Sequence, residues 1–360
     1  MSSRTAGLLE IVHPGAWASL QDLGRPGLRR IGVPRSGALE PGWLRLANAL
    51  LGNAEDCPAI EMIGGGLVVR ALGEPLQVAL AGRLSAEVGG TGSRRRLPSW
   101  RSLTLAPGET LRCVMLSGAR VGYLALAGID VPRRLGSAST CPRAALGGLD
   151  GQLLGPGDRI PGALIDGSER RLAAAPESEA EPIRVVLGPQ DDHFERRSLA
   201  RFLDTAYRVS GDADRMGLRL EGPRLRHAAG KGAEIVSDAT VPGSIQVPGH
   251  GLPIVLLADG QTIGGYPKIA TVISADLPRL AVLAPGQTVR FTAVAVSAAE
   301  NLARAREAAL RAAISAIVEL PHRGEADLQA LYGGANLISG VVDACPGRAG
   351  GARGAAQEQP

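Results

Sequence analysis

The chain has 360 residues, of which 45% are hydrophobic and only 3% aromatic, so it predicts two domains with cores of Leu, Val, Ile and Ala. A net charge of +4 and a pI near 9.1 do not make it a nucleic-acid binder: its arginines are spread out, the longest run is Arg94-Arg95-Arg96, and no aromatic residues alternate with them for base stacking. Cys57, Cys113, Cys141 and Cys345 are too scattered for a zinc site or disulfide framework, so no metal is expected, and Cys113 reads as core. The N-terminus lacks a signal-peptide pattern, and no apolar run reaches the roughly 18 residues of a membrane span, so a soluble cytoplasmic protein is expected, with no membrane or nucleic-acid partner.

In chain order, Gly7 to Val12 reads as a strand, followed by a long polar loop from His13 to Gly42 with no periodic pattern. A helix is expected from Gly42 to Leu51, with Gly52 as its stop. From Ala59 to Ile160 short apolar runs alternate with turns, as in β-rich folds. Gly64-Gly65-Gly66 lacks the following Gly-Lys-Ser/Thr of a phosphate loop and reads as a strand-entry turn. Asp192 and Glu195 have the spacing of a helix capping box, with a helix through Phe202. Leu105 to Cys113 (LAPGETLRC) is echoed at Leu283 to Phe291 (LAPGQTVRF), and a shorter GPGDRI begins at Gly155. Ala298 to Leu320 is the clearest helical pattern. The expected fold is mainly β, with two β-rich domains and a few helices. Its parts are an N-terminal domain over 1–165, a linker over 166–182, a second β-rich domain over 183–297, a helix and closing segment over 298–344, and a disordered tail over 345–360.

The stretch from Ala233 to Leu280 draws attention because strand-length apolar runs there carry polar turns, the usual platform of a site. Only two of the 39 basic residues are lysines, Lys231 and Lys268. A lysine retained in an arginine-biased chain suits chemistry that arginine cannot do, such as losing a proton. It suits equally a solvated loop. Asp238 and Asp259 are likewise either site carboxylates or turn formers.

Several segments together resemble one family. SLQDLGRPG (Ser19–Gly27), VPRSGALE (Val33–Glu40), GPQDDHF (Gly188–Phe194), DRMGLRLEGP (Asp214–Pro223), SDATVPGSIQVP (Ser237–Pro248) and QTIGGYPKIATVISADLPRL (Gln261–Leu280) are similar to the biotin-dependent carboxyltransferase family, also called allophanate hydrolase subunit 2. The resemblance implies two paired β-barrel-like domains, the C-terminal one cyclophilin-like. It implies a subunit of an ATP-dependent 5-oxoprolinase that cleaves 5-oxo-L-proline to L-glutamate with a KipI-like partner of the allophanate hydrolase subunit 1 type and a LamB/YcsF-like partner. The alternatives it leaves are the carboxyltransferase subunit of a biotin-dependent urea or amide carboxylase, and a non-catalytic regulator that binds a KipI-like protein. The chain itself has no phosphate loop and no Met-Lys-Met biotinylation signal, so ATP is expected to be used by the assembled complex, biotin enters only under the carboxylase reading, and the isolated chain should be inactive.

All these reactions need a carbonyl polariser, a proton-transfer group and donors for a developing oxyanion. Lys268, Asp259 and Tyr266 are the candidate catalytic residues. Gln261, Thr262, Gly264, Gly265, Gln246 and Asp238 are the candidate substrate contacts, and Gln21, Asp22 and Arg25 are expected to complete the pocket from the N-terminal half, although holding the partner subunit suits Gln21 and Arg25 equally.

Overall fold

A computed structural model describes residues 7–90, 94–164, 168–176 and 182–320. Strands dominate it, as expected, with four α-helices: α1 (Pro41–Leu51), α2 (Arg196–Asp204), α3 (Leu277–Ala281) and α4 (Val296–Ser315). The N-terminal half builds two sheets. The six-stranded one runs in the order Arg159–Gly162, Gly7–Pro14, Leu67–Leu72, Thr110–Met115, Leu84–Gly89, Arg95–Pro98. The seven-stranded one runs Trp17–Gln21, Ala59–Ile63, Val121–Leu126, Leu76–Gly82, Arg101–Leu105, Arg170–Leu172, Ile317–Glu319.

Strand alternation explains why Leu76–Gly82 is buried throughout. Leu76, Val78 and Leu80 enter a core shared with the six-stranded sheet, while Ala79 and Ala81 join the core under α1. Val121–Leu126 divides in the same way, with Leu124 and Leu126 on one side and Tyr123 and Ala125 on the other. Full burial of a leucine is worth about 1.5–3 kcal/mol, and α1 contributes Leu44, Leu50 and Leu51 to this second core. Glu40 caps α1 by accepting from Gly42 N (3.3 Å) and Trp43 N (2.7 Å), and Gly52, at φ 71°, ends it. Burial pushes the Glu40 carboxyl up, against the pull of Arg306 on α4.

The C-terminal half forms one eight-stranded sheet: Thr288–Val289, Tyr207–Val209, Gly217–Glu221, Ile254–Leu256, Ser244–Gln246, Lys268–Val272, Ile183–Leu187, Phe291–Ala293. Its two edge strands are separated in sequence by Arg290 alone, so the sheet curls until it nearly closes as a barrel. Its interior joins the core under α1, where Phe202 stacks on Phe291 at 4.8 Å.

Several local expectations change. Trp17–Gln21, read as loop, is a strand with four buried residues. Arg170–Leu172, inside the expected linker, pairs with Ile317–Glu319, and α4 correspondingly stops at Ser315. Asp192 is not a helix cap: Glu195 holds that position, and Asp192 pairs with Lys231 at 2.7 Å. Gly64-Gly65-Gly66 is the expected turn, with all three residues at positive φ. The Pro-Gly echoes share one turn, with Gly108, Gly157 and Gly286 all left-handed. The expected closing segment and tail beyond Leu320, and parts of the linker, lie outside the described residues. Among the described residues no helix is long and apolar enough to cross a membrane.

Candidate functional site

The sheet places Gln246 directly opposite Lys268 on neighbouring strands. Facing side chains at such a pair lie within reach of one another. Lys268 is 2% exposed, and its Nζ donates to Asp238 Oδ2 at 2.6 Å and to the Ala239 carbonyl at 2.9 Å. Asp238 sits on a two-stranded ribbon made by Asp238–Ala239 and Ile263–Gly264. Gln190 closes the cluster: its Nε2 donates to Asp238 Oδ2 at 3.1 Å and its Oε1 accepts from Lys268 N at 3.2 Å. Hydrogen bonds from Lys268 above all, then from Ala239 N and Gln190, hold the Asp238 carboxyl below the usual carboxylate range. Asp238 is therefore ionised at neutral pH and available as a base or an orienting group.

Gln261 donates to Gln246 Oε1 at 2.9 Å, which fixes the orientation of the Gln246 amide. The Nε2 of that amide is buried and has no partner among the described residues. Gly264 leaves room for it: a Cβ there would lie 2.5 Å from Gln246 Nε2. Lys268 uses two of its three donors on Asp238 and Ala239. The centre thus holds a spare N–H on each of two side chains from neighbouring strands.

An arginine of the N-terminal half seals the edge of this centre. Arg29 Nη2 donates to the carbonyls of Thr240 (2.8 Å) and Gln261 (2.7 Å), and Nη1 to that of Gly260 (3.3 Å). The Thr240 hydroxyl also donates to the Gln261 carbonyl.

Asp259 plays a different part from the one expected. It is buried and paired with Arg215, at 2.8 Å from Nε and 3.1 Å from Nη2, rather than with Lys268. Arg215 also donates to Glu61, to Gln21 Oε1 (3.3 Å) and to the Gly37 carbonyl (2.7 Å). Glu61 accepts in addition from Tyr123 Oη at 2.6 Å and Leu39 N at 2.8 Å. Burial works against the charge on Arg215, but Asp259 and Glu61 outweigh it and hold its pKa above the ordinary value. This network ties the two halves together.

Asp22 and Arg25 also differ from expectation. The Asp22 carboxylate accepts from Gly24 N (2.8 Å), Ala138 N (2.7 Å) and the hydroxyls of Ser137 (2.6 Å) and Ser139 (2.5 Å). The hydrogen bonds of Arg25 go to the carbonyls of Arg134, Ser137 and Ser139. Both side chains organise the 134–140 loop of their own half, and Gln21 alone of the three reaches across, through Arg215. Of the remaining candidates, Gly264 pairs with Asp238 on the ribbon, Gly265 accepts from Ile235 N (2.8 Å), the Thr262 carbonyl accepts from Thr240 N (3.0 Å), and Tyr266 stands 40% exposed at the rim. The sequence reading did not single out Gln190, Arg29, Glu61 or Arg215; Gln190 and Arg215 do lie in the quoted segments GPQDDHF and DRMGLRLEGP.

The fold and the centre define a two-part β protein with a polar cluster around a buried lysine. Residues 31–293 match the model of the carboxyltransferase domain, subdomains A and B. The chain belongs to that family. It is 38% identical over 295 residues to the C subunit of 5-oxoprolinase from Escherichia coli strain K12, covering 79% of this chain and 90% of that one. It is 35% identical over 301 residues to the C subunit of 5-oxoprolinase from Haemophilus influenzae, covering 83% and 96%. The crystal structure of Kluyveromyces lactis urea carboxylase superposes with a TM-score of 0.76 at 25% identity over 86% of this chain, which spans 29% of that longer one.

Proposed function

We propose that this chain is the C subunit of an ATP-dependent 5-oxoprolinase, opening the ring amide of 5-oxo-L-proline to L-glutamate together with partner subunits. The observation that carries the reading is the pair of spare donors, Lys268 Nζ and the orphaned Gln246 Nε2, on neighbouring strands. The lactam oxygen accepts from both, which polarises its carbonyl for attack. Gln261 holds Gln246 in register, and Asp238 anchors Lys268. Ring opening breaks the amide C–N bond, transfers an oxygen of water to the carbonyl carbon and leaves a carboxylate and an amine. ATP, bound by the assembled complex, drives this step; the sequence of this chain carries no phosphate loop.

The partners fit a surface beside the centre. The ribbon and its flanking segments expose Ile263 (62%), Val236 (93%) and Tyr266 (40%), apolar groups of the kind buried when proteins associate. A KipI-like partner covering this ribbon would exclude water from the Lys268 centre, and a LamB/YcsF-like partner would complete the complex. On this reading the isolated chain is inactive.

The likeness to a urea carboxylase favours one second reading, in which the same donors hold urea or another amide that accepts a carboxyl group from carboxybiotin carried on another chain. One experiment separates the two. The chain is mixed with both candidate partners, and glutamate release from 5-oxoproline is followed with ATP hydrolysis. Each of the three proteins is expected to be required, with ATP hydrolysis dependent on 5-oxoproline. A mixture inert toward 5-oxoproline that carboxylates urea once a biotin carboxylase is added replaces the first reading with the second. Turnover by this chain alone refutes the dependence on partners.

A further inference from the structure

The chain crosses between the six-stranded and seven-stranded sheets at two adjacent corners, Gly82 to Leu84 and Pro98 to Trp100. A cleft of about 480 Å³ opens there, lined among others by Arg83, Ser85, Arg96, Ser99, Trp100 and Leu116. That volume lies within the roughly 300–1,000 Å³ of small-molecule sites. None of its lining residues belongs to the Lys268 centre.

Two features set the cleft apart from ordinary surface. First, its cations make no ion pair with a carboxylate among the described residues, although Glu87 lies opposite Arg96 on the neighbouring strand. Arg83 reaches the Ser117 carbonyl, at 3.5 Å, and Arg96 the Ser85 hydroxyl, at 3.3 Å. No carboxylate is among the described residues that line the cleft. Arg95, next in sequence, is by contrast bound to Glu109 at 2.5 Å, so the arginine run divides into a paired member and one left for the cleft. Second, Trp100 is at φ +64°, a left-handed conformation that is strained for a bulky residue. Its backbone is held there by Trp100 N donating to the Leu80 carbonyl (2.8 Å) and by Leu172 N donating to the Trp100 carbonyl (2.9 Å). Trp100 lines the cleft, and its ring stands edge-on to Trp43, with centroids 5.7 Å apart, which braces it from the core. Unpaired guanidinium groups bind oxyanions, and a fixed indole offers a flat surface to a conjugated ring.

We infer that this cleft is a second binding site, for a small oxyanion with a planar body: a carboxylate or phosphate head between Arg83 and Arg96, and a flat ring system against Trp100. The test uses titration calorimetry on the full chain with three probes, AMP, benzoate and inorganic phosphate. Saturable binding of AMP, benzoate or both is expected, tighter than that of inorganic phosphate and weakened by added salt. Which of the two binds tells a phosphate head from a carboxylate one. The double substitution Arg83→Gln/Arg96→Gln is expected to weaken the bound probe by about tenfold or more, with thermal unfolding unchanged, and Trp100→Leu is expected to bring AMP or benzoate down to the affinity of phosphate. Absence of saturable binding by all three probes overturns the proposal. So does binding that the double substitution leaves unchanged. Phosphate binding as tightly as AMP and benzoate removes the planar body from it.

Discussion

Arg215 and Lys268 are both buried cations of the C-terminal half, each 2% exposed, but they differ in what their partners leave over. Every guanidinium nitrogen of Arg215 donates to the protein, to Asp259, Glu61, Gln21 and the Gly37 carbonyl. Lys268 has one carboxylate, one carbonyl and a spare donor, beside an amide nitrogen with no partner among the described residues. A saturated buried cation holds a structure together. An unsaturated one, reached through a half-exposed carboxylate, is equipped to hold something else. Burial alone does not separate a clamp from a site, and the separation lies in counting donors against acceptors.

Breaking the clamp should have the largest effect. Arg215→Met leaves Glu61 and Asp259 buried without their cation, and is expected to cost about 3–5 kcal/mol in urea unfolding. A loss under about 1 kcal/mol, typical of an exposed position, would mean that Arg215 is no clamp. Lys268→Arg sharpens the contrast from the other side. Activity of the assembled complex should fall at least about tenfold, because the planar guanidinium cannot reproduce the Nζ geometry. Stability should fall too, by about 1–3 kcal/mol, as for disturbing a buried hydrogen-bonded group. The size of that loss follows from the burial of Lys268, which the sequence left open. Full activity in Lys268→Arg would move the site elsewhere.

The smallest effect concerns acid. Asp238 is held low mainly by Lys268, so it adds stability above its unfolded pKa of about 3.9, and that contribution disappears as the pH falls through its lower folded value. Asp238→Asn should flatten this acid limb of the unfolding midpoint while leaving its shape near neutrality alone. An unchanged acid limb would show that the pairing with Lys268 has no energetic weight.

Much of the fold was legible because its signals are local. Pro-Gly turns, the helix ending at Gly52 and the alternating runs from Ala59 onward depend on neighbours in sequence. Trp17–Gln21 was missed because Gly and Pro surround it and its burial is supplied by Ala59–Ile63, some forty residues on. In the candidate site, the scarcity of lysine pointed to Lys268, and Gln246 and Gln261 came with it. The partner of Asp259 could not be read, since an aspartate before glycine looks the same whether it turns the chain or meets an arginine 44 residues away. The long-range partners of Asp22 and Arg25 were hidden for a related reason: they lie more than 100 residues on, in a loop whose sequence gives no hint of them.

The strand Ile317–Glu319 lies at the edge of the seven-stranded sheet against Arg170–Leu172, although the whole C-terminal barrel is threaded between them in sequence. The barrel is thus spliced into the first sheet rather than hung from its end. As the chain leaves the ribosome, N-terminal segments are free to fold first, yet this sheet gains its last strand only after the barrel has been synthesised and has brought α4 back beside α1. A nascent chain halted before residue 317 would carry an unpaired edge at Arg170–Leu172, the kind of edge that recruits other chains. Completion of the second half therefore acts as the closing stitch of the first.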